Sequence, residues 1–354
     1  MILNRWYPCE LGFTFRLAFR NAFRNAFRIA SWLQRARTVM VFITLTVATA
    51  FTAQADFPDR AIKIIVPYPP GGTTDLLARA IAPRLAERLR QAVVIDNRAG
   101  AGGVIGSKLV SKSLPDGYTL LFGTIATHGI LPALLKPTPY DALKDFSPIT
   151  VVANTPNVLI INATSPIRNV AELLALARAK PGSIDFGSTS LGGSPHMSGE
   201  LLKTMAKIDL VHIPYKGGGP MLIDLMGGQI QLGFDNLPSS INHIRSGKIR
   251  ALAVTTAKRW PGAPEIPTLA ESGVPGYEAS AWFGLLAPAG TPQIVVDQLQ
   301  RHVAAILALP EVEKIFLEQG AEPSGSTPAE FEGLIKRELQ KWTKVAAATG
   351  VNIE

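Results

Sequence analysis

The amino-acid sequence alternates short apolar runs with longer stretches in which apolar positions recur every four residues. The run IKIIVPY (62–68) is typical of a buried strand. Leucine or isoleucine then recurs with a spacing of four, which predicts a helix from Thr73 to about Arg90. Pro83 falls inside this helix and is expected to kink or split it, because proline removes a backbone hydrogen bond.

The same alternation continues through the next fifty residues. Residues 92–97 are predicted to be a strand, 102–113 a helix and 118–123 a strand. The order is therefore β-α-β-α-β, which implies a parallel sheet with right-handed crossover connections.

A second α/β unit is predicted farther along the chain. Residues 147–162 form a strand-rich stretch that is long enough to cross between two lobes, and a helix follows at 169–180. Four more strands are predicted at 184–190, 210–215, 230–236 and 249–256, separated by helices near 195–206, 220–227 and 239–247. A Pro/Gly-rich segment (258–280) precedes a last strand at 282–288 and two helices near 292–309 and 328–347.

Four strand-to-helix junctions are rich in glycine or hydroxyl side chains and poor in bulky ones. They read PPGGTTD (69–75), FGTIATHG (122–129), GSTSLGGS (187–194) and YKGGGP (215–220). Thr73 or Thr74 is expected to cap the first helix, with Asp75 near its positive end. Ser194 is expected to cap a later helix with Pro195 in its first position, and Pro220 to open the next.

These junctions together predict an anion site. In open α/β sheets the carboxyl ends of the strands face the ligand crevice. Helix N-termini favour anions through free N–H groups and the macrodipole, and glycine leaves those groups without a Cβ in the way. Taken singly, any one junction is better explained by ordinary capping chemistry, but four of them favour a binding site.

Several side chains near the junctions are candidates for ligand contact. His128 and His196 lie at the open junctions, whereas His212 alternates within a strand and is predicted to be structural. Asp235 ends a strand, where it either hydrogen-bonds a ligand amine or hydroxyl or caps the following helix. Lys216 either lends positive charge to the cleft or is a solvated lysine.

Signatures of nucleotide binding and of catalysis are weak. Gly100, Gly102 and Gly106 depart from the G-x-G-x-x-G spacing and follow the second strand, so a tight turn and close helix packing explain them. The sequence contains no G-x-S-x-G, H-E-x-x-H or Walker A motif. A small-molecule hydrolase or transferase is the rival interpretation, since Ser194 and His196 are two positions apart, but no orienting acid is nearby. No cofactor is predicted.

Charge changes the picture at the N-terminus. The chain has 354 residues and a formal net charge of +8. Of its 35 basic and 27 acidic residues, seven arginines and Glu10 lie in residues 1–55, which leaves 28 basic and 26 acidic residues from Asp56 onward. This balance lacks the electrostatic footprint of a nucleic-acid-binding protein, so no nucleic-acid partner is predicted.

Residues 1–55 are predicted to be a signal or leader segment. Arginines precede an uncharged apolar stretch (39–52), and AQA (53–55) suits cleavage between Ala55 and Asp56. The mature protein is therefore expected to be exported. No apolar run after Asp56 is long enough to span a bilayer.

The leader holds two further features. FRLAFRNAFRNAFR (15–28) is interpreted as a long charged region or as an upstream start site, with true initiation nearer Met40; an amphipathic surface helix or a transit-type segment is the alternative. The one cysteine, Cys9, lies in this segment. The mature part therefore contains no cysteine-based zinc site or nucleophile, and no metal site is predicted.

Four long segments of the sequence are distinctive. They are VPYPPGGTTDLLAR (66–79), VVIDNRAGAGGVIGSKLVSKSLPDGYTLLFGT (93–124), HIPYKGGGPMLIDLMGGQIQLGFDN (212–236) and the segment from GKIRALAVTT to LLAPAGTP (247–292). Together they resemble the substrate-binding proteins of tripartite tricarboxylate transporters, the Bug-type receptors. The resemblance covers about Phe57 to the C-terminus; the long leader and Pro83 depart from it.

The resemblance implies a fold and a site. The fold is α/β, a two-lobed periplasmic binding protein of type II (Venus flytrap), with each lobe a mainly parallel sheet flanked by helices. Lobe 1 is expected to hold 56–155 and 279–354, and lobe 2 to hold 156–278. The family holds carboxylates mainly through backbone amides, hydroxyls and ordered waters. The matching ligand-binding positions in this chain are Pro69, Gly71, Gly72, Thr73, Thr74, Asp75, Thr124, Thr127, His128, Ser188, Thr189, Ser190, Ser194, Tyr215, Lys216, Gly217 and Asp235.

The sequence is accordingly predicted to encode a monomeric, non-enzymatic periplasmic receptor. Its ligand is expected to be a small mono-, di- or tricarboxylate, or an acidic or aromatic relative, delivered to membrane permease subunits. Crossing segments near 150–160 and 275–285 are expected to let the lobes close on the ligand. A receptor that feeds a signalling system is a further alternative.

Overall fold

The computed structural model describes residues 57–135 and 137–349. The predicted leader and the cleavage between Ala55 and Asp56 lie outside these residues. No helix in the described ranges is both long enough and apolar enough to cross a membrane.

The strands follow the predicted order with small shifts at their ends. They are β1 (Ile62–Val66), β2 (Val93–Asn97), β3 (Thr119–Thr124), β4 (Phe146–Asn162), β5 (Asp185–Ser188), β6 (Val211–Pro214), β7 (Leu232–Asn236), β8 (Ile249–Val254), β9 (Ser280–Pro288) and β10 (Glu322–Pro323). Only the two-residue β10 lacks a counterpart in the sequence analysis, since a pair of residues carries no periodicity.

The helices are also close to the predicted ranges. They are α1 (Thr73–Leu89), α2 (Val104–Ser111), α3 (Leu131–Leu134), α4 (Val170–Ala179), α5 (Ser194–Ala206), α6 (Gly218–Met226), α7 (Leu237–Arg245), α8 (Gln293–Leu307), α9 (Pro310–Glu318) and α10 (Pro328–Thr349). A wide helical turn at Ala126–Ile130 leads into α3, and a tight turn at Ala101–Gly103 leads into α2. The tight turn agrees with the sequence interpretation of Gly100 and Gly102, whereas the helices α3 and α9 and the wide turn were not predicted.

The strands form one mixed sheet in the order β2-β1-β3-β9-β4-β7-β5-β6, with β8 and β10 also paired to β4. The outer strands are parallel: β1 pairs with β2 and β3, and β5 pairs with β6 and β7. The central strands are antiparallel, since β9 lies between β3 and β4 and runs opposite to both. The predicted β-α-β order at each end is therefore joined by two long antiparallel strands.

Strand β4 connects the two parts of the sheet. Its first part, up to Pro156, pairs with β9, and its second part, from Asn157, pairs with β7 and β8. The continuous apolar run in 147–162 is explained by this double burial, because both faces and both edges of the strand are covered.

The hydrophobic core divides in the same way. One cluster, which includes Ile64, Phe122 and Phe331, packs on the part of the sheet with β1–β3 and is completed by the C-terminal helices. Two other clusters cover the opposite faces of the second part, one around Phe234 and one around Met221.

Pro83 does not split the first helix. Helix α1 runs without a break from Thr73 to Leu89 with Pro83 inside it. Proline within a helix costs about 3 kcal/mol. Leu77 and Ile81 on the same helix are fully buried, and each such side chain contributes about 1.5–3 kcal/mol, so packing offsets the lost hydrogen bond.

The predicted helix caps are displaced by one or two residues. The N-cap of α1 is Gly72, so Thr73 and Thr74 are its first two helical residues and neither caps it. The N-cap of α5 is Gly193, so Ser194 occupies the first helical position.

Helix α6 likewise begins at Gly218, two residues before Pro220. For α1 and α5 the predictions assumed that a hydroxyl side chain would satisfy the first N–H groups. Glycine takes the cap position instead, with no side-chain cap bond at any of these three helices. The hydroxyl side chains are consequently available for other contacts.

Candidate functional site

A cavity lies where the carboxyl ends of β1, β3, β5 and β7 meet. It encloses about 40 Å³ for the centres of water-sized spheres, which is room for a few water molecules or a small polar group. Its lining residues are Tyr68, Pro69, Gly72, Thr73, Thr74, Thr124, Ile125, Ala126, Thr189, Ser190, Gly193, Ser194, Pro195, Gly217, Gly218, Asp235, Asn236, Ser239, Ala281 and Phe283. Both parts of the sheet contribute to this lining.

Four helices begin at the cavity wall. The lining includes Thr73 and Thr74 of α1, Ser194 and Pro195 of α5, Gly217 and Gly218 at the start of α6, and Asn236 and Ser239 at the start of α7. Each helix N-terminus carries about half a positive charge and N–H groups without an intrahelical acceptor. Their convergence places partial positive charge at the cavity wall, whose ionisable side chain is the carboxyl of Asp235.

The hydrogen bonds show which backbone donors remain at α1. The first bond of the helix runs from Leu76 N to Gly72 O at 3.0 Å, so the N–H groups of Thr73 and Thr74 precede it. The N–H group of Gly71, in contrast, donates to Asp75 Oδ2 at 3.0 Å. Of the predicted ligand-binding positions here, Gly71 therefore has its N–H group already hydrogen-bonded.

The turn before α5 uses more of its own donors. Gly192 N donates to His196 Nδ1 at 3.1 Å, and Gly193 N donates to Ser190 O at 3.2 Å. The first bond of α5 runs from Met197 N to Gly193 O at 3.0 Å, so the N–H group of Ser194 precedes it. The N–H group of Ser194, which lines the cavity, therefore has no acceptor within the helix.

A buried amide network supports Ser194. Its Oγ donates to Asn157 Oδ1 at 3.2 Å, and Asn236 Nδ2 donates to the same oxygen at 2.6 Å. Asn157 Nδ2 donates to Ser198 Oγ at 2.8 Å, and Asn157 is fully buried on β4. The network ties two cavity residues to the crossing strand and fixes their orientation.

Asp235 lies at the cavity wall and at the start of α7. Its carboxylate accepts hydrogen bonds from Asn236 N at 2.8 Å, Ser239 Oγ at 2.6 Å and Ser240 Oγ at 2.5 Å. Burial raises the pKa of Asp235 to about 6, although these hydrogen bonds favour the charged form. The N-cap of α7 is Asn236 and the helix has no side-chain cap bond, so Asp235 does not cap it but joins its first turn through the two serine hydroxyls. Asp235 also lines the cavity.

Tyr68 was missed by the sequence analysis. Its hydroxyl donates to Gly102 O at 3.1 Å and lies 3.2 Å from Thr124 Oγ1, and burial raises its pKa to about 12. Thr127 in turn donates to Thr124 O and accepts from Thr124 N, both at 3.0 Å. Thr124 lines the cavity, whereas Thr127 is fully buried behind it and holds the turn.

The structure brings ten of the predicted ligand-binding residues to the cavity and leaves seven outside its lining. The ten are Pro69, Gly72, Thr73, Thr74, Thr124, Thr189, Ser190, Ser194, Gly217 and Asp235. The seven are Gly71, Asp75, Thr127, His128, Ser188, Tyr215 and Lys216.

Asp75 and Gly71 form the frame of the first turn. The Asp75 carboxylate accepts from Gly71 N at 3.0 Å, from Arg79 Nε at 2.9 Å and from Asn97 Nδ2 at 3.0 Å. Burial alone would raise the pKa of Asp75, but the hydrogen bonds from Arg79, Gly71 and Asn97 lower it below its usual value. The carboxylate thus shapes the loop instead of facing the ligand space.

His128 lies in the core. Its ring is fully buried, packs at 4.6 Å from the ring of Phe146 and lies 2.9 Å from Thr127 Oγ1 through Nδ1. Burial lowers the pKa of His128 to about 3, so the ring is neutral at ordinary pH. We expected His128 near the cavity because it follows β3 in the sequence, but the turn directs its ring into the core, against Phe146.

Ser188, His196 and His212 form a cluster beneath the 187–194 turn. Ser188 Oγ lies 2.7 Å from His212 Nε2, and the rings of His196 and His212 stack at 3.9 Å. Burial lowers the pKa of His196 to about 3 and that of His212 to about 4. Both rings support the turn from below, as the sequence indicated for His212.

The structure lacks the geometry that the hydrolase or transferase interpretation requires. Ser194 Oγ donates to Asn157, and His196 Nδ1 accepts from Gly192, so the two side chains are not hydrogen-bonded to each other. The cavity lining contains no lysine or arginine. Within 57–135 and 137–349, no group of three or more histidine, cysteine or acidic side chains could hold a metal ion.

Other lining residues also escaped prediction, for different reasons. Asn236 and Ser239 lie in FDNLPSS, which has the same strand-to-helix character as the four junctions, so this signal was available. Ala281 and Phe283 lie in the apolar strand β9 and carry no local signal. Their place follows only from the insertion of β9 between β3 and β4.

Comparison with known proteins gives consistent matches. The family model described as the tripartite tricarboxylate transporter family receptor matches residues 77–351. Protein BugT of Bordetella pertussis is 40% identical over 324 residues, which is 90% of this chain and 99% of that protein.

Two solved structures of similar proteins are each described with a carboxylate. Rpa4515 of R. palustris with adipate is 43% identical, with a TM-score of 0.82 over 84% of this chain and 99% of that chain. MatC of Rhodopseudomonas palustris with bound malate is 32% identical, with a TM-score of 0.77 over 82% of this chain and 99% of that chain.

These matches confirm the predicted two-lobed α/β fold of periplasmic binding proteins and the resemblance to Bug-type receptors. The mixed sheet, with parallel strands at each end and the long β4 between them, is the form that this fold takes here. The chain belongs to the tripartite tricarboxylate transporter receptor family.

Proposed function

We propose that this protein binds a small carboxylate in the cavity between the two parts of its sheet and delivers it to the permease subunits of a tripartite transporter. The carboxylate is held by the N–H groups of Thr73 and Thr74 on one side and of Ser194 on the other. The hydroxyls of Thr124 and Ser190 supply further donors. The protein acts as a receptor and not as an enzyme.

The convergence of four helix N-termini carries the proposal. A carboxylate at one helix N-terminus gains typically 0.3–1 kcal/mol, and more where the site is partly buried. Several such termini around one small cavity offset the cost of removing the anion from water. Hydrogen bonds to a charged acceptor add about 1.5–3 kcal/mol each.

The relatives point to the same ligand class. Adipate and malate, named with the two similar structures, are both dicarboxylates. Backbone amides recognise any carboxylate, so the identity of the ligand depends on what surrounds the cavity.

Calorimetry on the mature protein, residues 56–354, tests the proposal directly. We expect a small carboxylate to bind and to raise the melting temperature, since a ligand at 100 times its Kd stabilises the native state by about 2.7 kcal/mol. The matched control is the corresponding diol or diamide of each acid, which has similar size and no negative charge. Equal binding of acid and diol, or no binding by any acid, would overturn the proposal.

The salt dependence gives a second measurement. A site made of backbone dipoles has no mobile lysine or arginine at its surface to be screened, so affinity should change little between low and physiological ionic strength. A steep loss of affinity with salt would indicate a cationic side-chain site instead.

Export and lobe closure belong to the same proposal. The leader order of arginines, apolar stretch and AQA supports a periplasmic location, with lobe 1 formed by 56–155 and 279–354 and lobe 2 by 156–278. Delivery to a permease is supported by the family. Loss of carboxylate uptake after deletion of the gene, with uptake restored by the exported protein, would distinguish transport from signalling.

A further inference from the structure

Asp235 is the acidic side chain in the wall of the cavity. It is 1% exposed and lies near the end of β7, beside the space that the proposed ligand occupies. The lining holds no lysine, arginine or histidine, and its tyrosine, Tyr68, is neutral because burial raises its pKa to about 12. A carboxylate that enters the cavity therefore meets a buried carboxyl group without a compensating cationic side chain.

The donors around Asp235 leave room for one proton. Its Oδ1 accepts from Asn236 N, and its Oδ2 accepts from Ser239 Oγ and Ser240 Oγ. A carboxylate oxygen has two lone pairs, so Oδ1 keeps one that can hold a proton. Burial raises the pKa of Asp235 to about 6 even before a second negative charge arrives.

The elements packed against Asp235 bring no charge that alters this balance. Strand β4, its partner in the sheet, has no ionisable residue. The other neighbouring elements carry Asp75, Arg79, Arg84, Glu87 and Arg88 on α1, Asp185 on β5, Asp224 on α6, and His243 and Arg245 on α7, and Lys216 is exposed before α6. Asp75 is paired with Arg79, and Asp224 accepts from the Tyr215 hydroxyl. Within the described part of the chain, burial and three hydrogen bonds determine the pKa of Asp235.

Two carboxylates in so small a space repel each other strongly. The cavity has room for only a few water molecules, so a bound carboxylate lies within roughly 6 Å of Asp235, a range in which one charge alters the protonation of another. Where two carboxyl groups share a site, one of them keeps a proton well above its ordinary pH range. The proton removes the repulsion and makes Asp235 a hydrogen-bond donor toward the ligand.

We infer that Asp235 takes up one proton from solvent when a carboxylate enters the cavity and returns it when the ligand leaves, so that the receptor binds its ligand together with a proton. This inference rests on the proposed function, because it needs a carboxylate in the cavity. The O–H bond on Asp235 is the only covalent bond that forms or breaks. Affinity therefore increases as pH falls, down to the pH at which the free carboxyl is already protonated.

Calorimetry on the unaltered mature protein measures the proton uptake. Succinate, malate and adipate serve as probes from pH 6.5 to 8.5, where ordinary carboxylic acids are ionised. One proton per ligand limits the change to about tenfold per pH unit, and we expect affinity to fall roughly tenfold across this range. Titrations at pH 7.5 in phosphate and in Tris, whose ionisation enthalpies differ, should show uptake of more than about half a proton per ligand.

The substitution Asp235→Asn removes the proton site with little change of shape. The amide oxygen can accept from Asn236 N, and the amide nitrogen can donate to the serine hydroxyls, which accept as well as donate. We expect this variant to take up no proton and to bind several-fold more tightly than the parent at pH 8.5, because the repelling charge is gone. The matched control is Asp209→Asn, at an exposed carboxyl outside the cavity lining, which should change neither measurement.

The substitution Ser240→Ala decides the case if Asp235→Asn does not fold. Ser240 is fully buried, donates to Asp235 Oδ2 and lies outside the cavity lining. Loss of a hydrogen bond that favours the charged form raises the pKa of Asp235, so the fall in affinity should move to higher pH. An unmoved pH profile in folded Ser240→Ala protein would contradict the inference.

The outcomes separate this inference from the proposed function. If no carboxylate binds, the proposed function fails. If carboxylates bind with the same affinity from pH 6.5 to 8.5 and without proton uptake, the proposed function stands and the proton-linked mechanism is wrong. Proton uptake that survives Asp235→Asn, or weaker binding by this variant at every pH, would show that Asp235 is not the proton acceptor. Uptake that Asp235→Asn removes and Asp209→Asn preserves supports the inference.

Discussion

Replacing Gly72 by valine tests the backbone site most directly. Gly72 is the N-cap of α1, lines the cavity and precedes the two threonines whose N–H groups face it. Its φ of −82° and ψ of 169° are extended values that valine adopts readily. A Cβ built there meets only Pro69 O, at 4.0 Å, so the new side chain enters the ligand space without straining the turn.

The expected effect on binding follows from the donors that valine would cover. Losing one charge-assisted hydrogen bond costs about 1.5–3 kcal/mol, which is roughly 10- to 150-fold in affinity. The fold should be preserved, since replacing glycine at a compatible φ and ψ removes chain entropy from the unfolded state. We therefore expect Gly72→Val to melt within a few degrees of the parent and to bind a carboxylate at least about tenfold more weakly.

Calorimetric affinity and thermal unfolding, measured at fixed salt, check this together. Gly219→Val is the matched control, because a Cβ at Gly219 meets nothing within 4 Å and the residue lies outside the cavity lining. Lys216→Ala is the side-chain control, and an exposed lysine should contribute about 1 kcal/mol or less.

The reasoning would be refuted by the opposite pattern. If Gly72→Val folds and binds like the parent while Lys216→Ala abolishes binding, recognition depends on a cationic side chain and not on backbone donors. If Gly219→Val weakens binding as much as Gly72→Val, the effect is not specific to the cavity.

Three further predictions concern pH, motion and export. Burial lowers the pKa of His128 and His196 to about 3, so below about pH 6.5 each gains a proton in the unfolded chain but not in the folded protein, and each should lower the free energy of unfolding by about 1.4 kcal/mol between pH 7.5 and 5.5. Asp235, with its pKa raised to about 6, offsets about 1 kcal/mol of this loss. Urea unfolding at both pH values should show the net loss of stability. X-ray scattering should show a smaller radius of gyration with saturating ligand, and an unchanged curve with binding confirmed would argue against closure. N-terminal sequencing of periplasmic protein should begin within a few residues of Asp56, and an intact leader would contradict export by cleavage.

Most of the secondary structure could be predicted because local patterns determine it. The apolar run in 147–162 and the spacing of four in α1 both reflect burial, which a local pattern of apolar residues indicates. The antiparallel insertion of β9 could not be read in this way. Its register with β3 and β4 depends on contacts between residues more than 120 positions apart.

The candidate site was predictable where glycine and hydroxyl residues marked a strand end. Gly72, Thr73 and Ser194 reached the cavity because such junctions lie at the carboxyl edge of the sheet. The direction of each side chain was not predictable. Asp75 and His128 stand at the same kind of junction, yet one is held by Arg79 and the other by the aromatic core.

The predictions of the helix caps were wrong for a related physical reason. Sequence preferences place serine or threonine at the N-cap, where the side chain satisfies a helix N–H group. In a site that must leave those N–H groups for a ligand, a capping side chain would compete for them. Glycine at Gly72 and Gly193 avoids that competition, so the departure from the common cap is itself consistent with anion binding.

Thr73, Ser239 and Asp235 form a hydrogen-bonded link between the two sides of the cavity. Thr73 Oγ1 donates to Ser239 Oγ at 3.2 Å, and Ser239 Oγ donates to Asp235 Oδ2 at 2.6 Å, which joins the start of α1 to the start of α7. A bound carboxylate adds negative charge beside Asp235, so attraction must come from donors on both sides of the cavity at once. Dipoles act over one helical turn, unlike a lysine or arginine that keeps its full charge when exposed. If a carboxylate binds as proposed, we therefore expect separation of the two sides to remove most of the attraction, so that the ligand is held only while the cavity is closed.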